Sequence, residues 1–166
     1  MNRHASQLLR LLDRVSPPET VSAHCDIPCG IYDPHAAQIA ALTVVRMNQL
    51  MGQADPNDKA GANSFGRYVT VKEDHAEIVK RELDILWHDY FKPEHLDKYP
   101  DLHTIFWDAT KLASKCKQTF DEGAATDLLA ATNRIAEIFW DTKGVPTRKA
   151  GSNQAVGGQL VYVNNS

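Results

Sequence analysis

Across 166 residues no run of apolar side chains approaches the ~20 needed to cross a bilayer, so the chain reads as soluble. Surplus basic charge is also missing: 18 Lys and Arg stand against 21 Asp and Glu, and a net charge of −3 without a basic patch argues against nucleic-acid binding. A charged fraction of 23% beside 43% hydrophobic residues argues against disorder and supplies a sizeable core for one domain. Internal repeats and low-complexity tracts are absent. Cysteine is scarce, with only Cys25, Cys29 and Cys116, and no second ligand pair matches the spacing of the first two. A structural zinc site is therefore not indicated.

What charge there is lies unevenly. Residues 1–23 carry +1 and residues 144–166 carry +2, which leaves −6 on the middle of the chain. An acidic body repels small anions on average, so an enzyme with an anionic substrate would need a local positive funnel.

The first 23 residues superficially resemble a secretory signal, because Leu8, Leu9, Leu11 and Leu12 precede the small-residue segment Val21-Ser22-Ala23. Arg10, Asp13 and Arg14 interrupt that apolar region, and Leu8, Leu11, Leu12 and Val15 fall on one helical face. The expectation is an amphipathic leader, ended by Ser16-Pro17-Pro18 and removed without export, leaving a cytoplasmic protein.

Beyond it the pattern is helical. Asp33-Pro34 pairs an N-cap residue with a proline at the first helical position, and a helix is expected over about 34–51, burying Ile39, Leu42, Val45, Met47 and Leu50 or their neighbours. Residues 52–64 carry loop chemistry in Asp55-Pro56-Asn57-Asp58, Gly61 and Asn63. A long amphipathic helix is expected over about 65–91, stopped by Lys92-Pro93; a further one starts at Tyr99-Pro100, and a last one ends at Gly144. Trp87, Trp107 and Trp140 read as core. Four helices on short or moderate loops predict an all-α, antiparallel four-helix bundle over 24–143. Residues 144–166, rich in glycine and small polar residues, read as a flexible extension; a short strand around Leu160-Val161-Tyr162-Val163 is the minority reading.

The chemistry concentrates in His24-Cys25-Asp26-Ile27-Pro28-Cys29-Gly30-Ile31-Tyr32. A cut between Ala23 and His24 would free an amine one residue before Cys25. That amine and the Cys25 amide nitrogen close a five-membered chelate, the amide nitrogen and the Cys25 sulfur close another, and the Cys29 sulfur completes a square. The His24 imidazole reaches an axial position. Square-planar nitrogen and sulfur ligation suits nickel or copper, and anionic donors favour the higher oxidation state. Pro28 restricts the loop and Gly30 permits the turn out of it. A reversible Cys25–Cys29 disulfide is the bland alternative, but thiol exchange needs no free amine.

This block resembles the hook of the nickel superoxide dismutase family, His-Cys-x-x-Pro-Cys-Gly-x-Tyr after a processed leader. Trp87-His88-Asp89-Tyr90-Phe91-Lys92-Pro93, Lys98-Tyr99-Pro100-Asp101-Leu102-His103 and Ile138-Phe139-Trp140-Asp141-Thr142-Lys143 resemble later segments of it. The resemblance implies a homohexamer of four-helix bundles, matured by a leader-processing peptidase. Each subunit would hold a nickel ion through His24, Cys25 and Cys29 and convert superoxide to dioxygen and hydrogen peroxide. It further implies that Tyr32 and Tyr90 stand beside the vacant axial face, that Asp26 stabilises the hook, and that Lys92 steers the anion. Read without the family, Tyr90 is a half-buried helix tyrosine and Lys92 a solvated helix-end lysine. A glutamate and an arginine that bracket the axial histidine in better-known members fall here at Ala40 and His75, so the charged pair is missing and His75 partly substitutes. A helix bundle that sequesters nickel or copper without turnover is the alternative, although storage gains nothing from a tyrosine-gated open position.

Overall fold

The computed structural model describes residues 29–164. The leader and the hook residues Ala23, His24, Cys25, Asp26 and Pro28 therefore lie outside the described residues.

Asp33 accepts a hydrogen bond from the backbone N–H of His35 at 2.7 Å, and helix α1, His35–Gln53, follows. Its buried stripe runs through Ala37, Ala41, Val44, Asn48 and Met51 at alternating steps of four and three, with Gln38, Ala40 and Leu42 flanking it. The expected burial of Ile39 is corrected: the stripe is centred on small and amide residues, and Ile39 is turned out at 43% exposure.

Helix α2, Lys59–Ile85, starts earlier than the expected 65 because Asp58 caps it, accepting from the N–H groups of Ala60 and Gly61 at 3.1 and 3.0 Å. Gly61 is required there, since a Cβ would sit 2.0 Å from the Asp55 carbonyl oxygen. The helix ends in a π turn, Leu86–Tyr90, closed by the Phe91 N–H on the Leu86 carbonyl at 3.0 Å. A short helix α3, Pro93–Lys98, comes next; proline at its first turn fits a position where no N–H is needed.

Helices α4, Leu102–Gln118, and α5, Glu122–Thr142, complete the four long helices among the described residues. α4 buries Leu102, Phe106, Ala109, Ala113 and Cys116. Trp107 lies one residue off that stripe, so its assignment to the core is also corrected: it is 54% exposed, with the Lys111 ammonium 4.3 Å over its ring.

Each long helix packs on two others, in the ring α1, α2, α4, α5 and back to α1. The pairings are antiparallel. Trp87 at the end of α2 meets Phe106 near the start of α4, the Asn48 side chain near the end of α1 accepts from the Asp121 N–H that precedes α5, and Tyr99 before α4 donates to Asp141 near the end of α5. The core is the apolar centre of that ring, with Leu83, Leu128, Ile135, Ile138 and Phe139 among its fully buried side chains.

After α5 the chain departs from the flexible extension expected of it. Thr147–Gly151 (β1) and Gln159–Val163 (β2) pair as an antiparallel hairpin in which Lys149 faces Val161. It packs on α5 and buries Leu160 and Val161. Its glycine content, which reads as looseness, serves the turn: Gly157 and Gly158 both take φ of +74°, where a side chain is disfavoured.

Candidate metal centre

The chain enters the bundle at Cys29, whose sulfur is exposed and accepts a hydrogen bond from the Ile31 N–H at 3.5 Å. Gly30 between them has φ +71° with nothing near its missing Cβ, so glycine is required by the backbone conformation and not by crowding. This tight turn brings Tyr32, half-buried against the core, to the end of α2, where Ile31, Tyr32 and Asp33 face Glu82, Ile85 and Leu86.

Tyr90 comes to the same place from the π turn that ends α2, an element that recurs at functional sites. The Tyr32 and Tyr90 rings lie with centroids 5.7 Å apart. Together with Gly30, Asp89, Lys92, Glu94 and His95 they line an open pocket of about 410 Å³. Lys92 thus stands on the wall of this pocket within a locally mixed-charge rim.

The hydroxyl of Tyr90 is 2.7 Å from the Thr142 hydroxyl, and Thr142 in turn donates to the Phe139 carbonyl at 2.7 Å. A threonine has one hydroxyl proton; with that proton given to a carbonyl, the Tyr90 proton must be given to Thr142. Tyr90 therefore keeps only acceptor capacity toward the pocket. Its ring packs on Phe139 at 4.5 Å, stacks with His95 at 5.6 Å, and carries the Lys143 ammonium 5.2 Å above it. His95 accepts from the Lys92 N–H through Nδ1 at 3.0 Å, so the neutral ring holds its proton on Nε2.

Of the other expected site residues, Ala40 is buried in α1, and His75 on α2 donates from Nδ1 to the Val71 carbonyl at 2.8 Å, leaving Nε2 as the nitrogen for any further partner. In sequence His95 reads as a surface or capped histidine, and Thr142 and Lys143 carry no signal of their own. The segment holding Thr142 and Lys143 resembles the family's, but nothing in its pattern says that it reaches Tyr90. Cys116 stands apart: it is buried in α4, and burial pushes its thiol up to about 11.

Among the described residues no group of three or more His, Cys, Asp or Glu side chains could hold a metal ion. What is described of Cys29 is compatible with a soft metal: an exposed sulfur donor, with the Ile31 N–H directed at it, one residue before the Gly30 wall of the pocket.

The fold is a helical bundle with an exposed cysteine in a tight turn ahead of its first helix and two tyrosines packed beside that turn. The sequence model of the family described as nickel-containing superoxide dismutase matches residues 19–143. The chain is 41% identical over 135 residues to superoxide dismutase [Ni] of Streptomyces coelicolor, covering 80% of this chain and 98% of that one. It is 40% identical over 134 residues to the enzyme of the same name from Streptomyces seoulensis, with the same coverage. A crystal structure of Ni-containing superoxide dismutase with its ligation in the oxidized state superposes with a TM-score of 0.67 at 40% identity, over 73% of this chain and 99% of that one. The chain belongs to the nickel-containing superoxide dismutase family. It is an oxidoreductase that dismutates superoxide, with nickel as its cofactor.

Proposed function

We propose that this chain is a precursor that gains activity when a peptidase cuts between Ala23 and His24, and that the mature subunit binds nickel through the His24 amine and imidazole, the Cys25 amide and thiolate, and the Cys29 thiolate. Residues 1–23 are then the leader and 24–143 the working domain. The observation that carries this reading is the Cys29-Gly30-Ile31-Tyr32 turn, which sets a thiolate ahead of α1 with Tyr32 beside Tyr90.

Bound nickel supplies a one-electron Ni(III)/Ni(II) couple, by which one superoxide is oxidised to dioxygen and the next is reduced, with two protons, to hydrogen peroxide. The chain's own residues divide the remaining work. Pro28 and Gly30 bring the second sulfur back toward the first, and Asp26 holds the hook through backbone or cross-subunit hydrogen bonds. The Ile31 N–H stabilises negative charge on the Cys29 sulfur. Tyr32 narrows the entrance and offers its hydroxyl to an anion or water. Tyr90, whose proton is committed to Thr142, accepts from water and so orients a proton donor toward the pocket. Lys92 and Lys143 give the local positive potential that an acidic domain otherwise lacks. His75 takes part of the role of the missing charged pair by orienting the His24 imidazole. The mature enzyme assembles as a homohexamer and works in the cytoplasm, where its thiolates are kept reduced.

The test is to produce the full chain with and without its processing peptidase, then measure intact mass, nickel content and superoxide decay. The expected result is a chain beginning at His24 that holds a nickel ion in each subunit and dismutates superoxide, with the uncut chain inactive. Equal turnover by uncut chains would overturn the reading.

A further inference from the structure

The hairpin lies beyond residue 143, outside the stretch matched by the family model, and its contacts join α5 to the helix from which the hook departs. We propose that it is a strap that fixes the start of α1, and through it the hook, against α5. An isolated two-stranded hairpin is marginal in water, so its order depends on what it is docked against.

The dock is built from side-chain amides acting as a third strand. Gln38, in the first turn of α1, accepts from the Val161 N–H at 2.7 Å and donates to the Val161 carbonyl at 3.4 Å. Asn133 of α5 donates to the Gln159 carbonyl at 2.8 Å. The outward edge of β2 is thereby closed by one residue from each helix, and Lys149 on β1 adds an ion pair with Glu137 of α5 at 3.1 Å. Further along, Gln49 donates to the Val156 carbonyl at 3.1 Å, and the His35 ring meets Tyr162 at 6.3 Å. Gly158 sits so close to both helices that a Cβ would lie 3.1 Å from Leu42 and 3.3 Å from Leu129.

The start of α1 is packed into the bundle through Ala37, Ala40 and Ala41, and the strap adds polar contacts that this apolar packing does not supply. Its first turn contains no acidic residue, and Asp33, two residues ahead of it, accepts from the His35 N–H. Only Asp33 and Pro34 separate His35 from Tyr32, so motion of that turn is passed directly to the tyrosine and the Cys29 sulfur. Gln38 is accordingly a positioning residue that touches no reacting atom.

The test uses the full chain with two variants. Gly158→Val forces the strap off both helices without altering either helix, and Gln38→Leu removes both amide hydrogen bonds while keeping volume. In each, amide hydrogen exchange at 160–162 and at 37–41 is expected to accelerate by at least about tenfold while α4 stays protected. Release of nickel to a chelator is expected to accelerate by about tenfold, the lower end of what lost ligand support costs. If 160–162 opens while exchange at 37–41 and nickel release stay at wild-type values, the strap does no positioning and the proposal falls. Full protection of 160–162 in both variants would overturn the docking itself. The nickel arm rests on the hook reading above; the exchange arm, run on metal-free protein, does not. Faster exchange at 37–41 in a chain that never binds nickel would uphold the strap and discard the hook.

Discussion

The two ends of the bundle handle polar groups in opposite ways. At the end away from the hook, polar side chains close neighbouring helix termini: Lys72, buried on α2, donates to the carbonyls of Lys117 at 3.2 Å and Thr119 at 2.7 Å, closing the end of α4. Asp121 caps α5 through the Ala124 N–H and pairs with Lys115 at 2.7 Å. At the hook end, polar heads stand on aromatic bodies around an open pocket, with Tyr90 and its shell of Phe139, His95 and Lys143. The first arrangement completes helix ends and the second keeps a surface available to a ligand. Stability and function should therefore separate when the ends are perturbed one at a time.

The widest separation is expected from Cys29→Ser. It removes a proposed metal ligand at an exposed position, so the fold should persist by circular dichroism. Nickel content and superoxide decay should fall more than about 100-fold, beyond the range for outer support residues. Retained nickel and retained turnover would break the comparison outright, because the hook end would then not depend on its thiolate.

Lys72→Met inverts the pattern. Two helix-end carbonyls lose their donor in a buried place, which costs about 2–3 kcal/mol by denaturant unfolding. Activity per folded, nickel-loaded molecule should be unchanged. A large loss of specific activity with unchanged stability would show that the far end is coupled to the site.

How legible each end was in the sequence follows from the same physics. The bundle was readable because apolar spacing at three and four residues is a local property, and the thiolate turn because its donors lie within six residues of one another. Lys72 was not readable: a lysine in a charged amphipathic run looks solvated until the end of α4, some 45 positions away, arrives over it. The phase of α1 is not local information, because Gln38 and Asn48 are buried by partners distant in sequence while Ile39 is left outside. For the same reason the C-terminal hairpin looked like loose chain; its partners are amide side chains on α1 and α5, and no local alternation announces them. The link from Tyr90 to Thr142 spans 52 positions and is invisible to any motif.

That link gives a smaller effect at the hook end. Thr142→Val removes the acceptor of the Tyr90 proton at almost constant volume, costing about 1 kcal/mol of stability. It also returns a donor to the pocket, so the pH profile of superoxide decay should shift, whereas Thr142→Ser should preserve it. Identical profiles for all three proteins would remove Tyr90 from the proton path. Milder still, Lys92→Gln combined with Lys143→Gln should slow superoxide capture by a few-fold and flatten its dependence on ionic strength. An unchanged salt dependence would assign steering elsewhere.

The least effect is expected from the surface clamp joining the two halves of the hook end, where Asp141 accepts from both Lys98 and Tyr99. The Lys98 ammonium, then the Tyr99 hydroxyl, hold the Asp141 carboxyl below its usual range, while hydrogen bonding to Asp141 raises Lys98. A depressed carboxyl contributes fully above its unfolded value of about 3.9 and loses its contribution as pH falls through the lower folded value. A raised lysine contributes fully below about 10.4 and loses it as pH rises through the higher folded value. The clamp should then be constant between about pH 5 and 9. Both side chains are largely solvated, 60% and 48% exposed, so water screens the pair and Asp141→Asn should lower Tm by no more than about 2 °C in that window. The variant and the parent should converge as pH falls through the lowered folded value of Asp141. A larger loss at neutral pH, or a gap that widens in acid, would mean that the clamp braces Tyr90 and the pocket as firmly as Lys72 braces the far end, and the contrast between the two ends would have to be withdrawn.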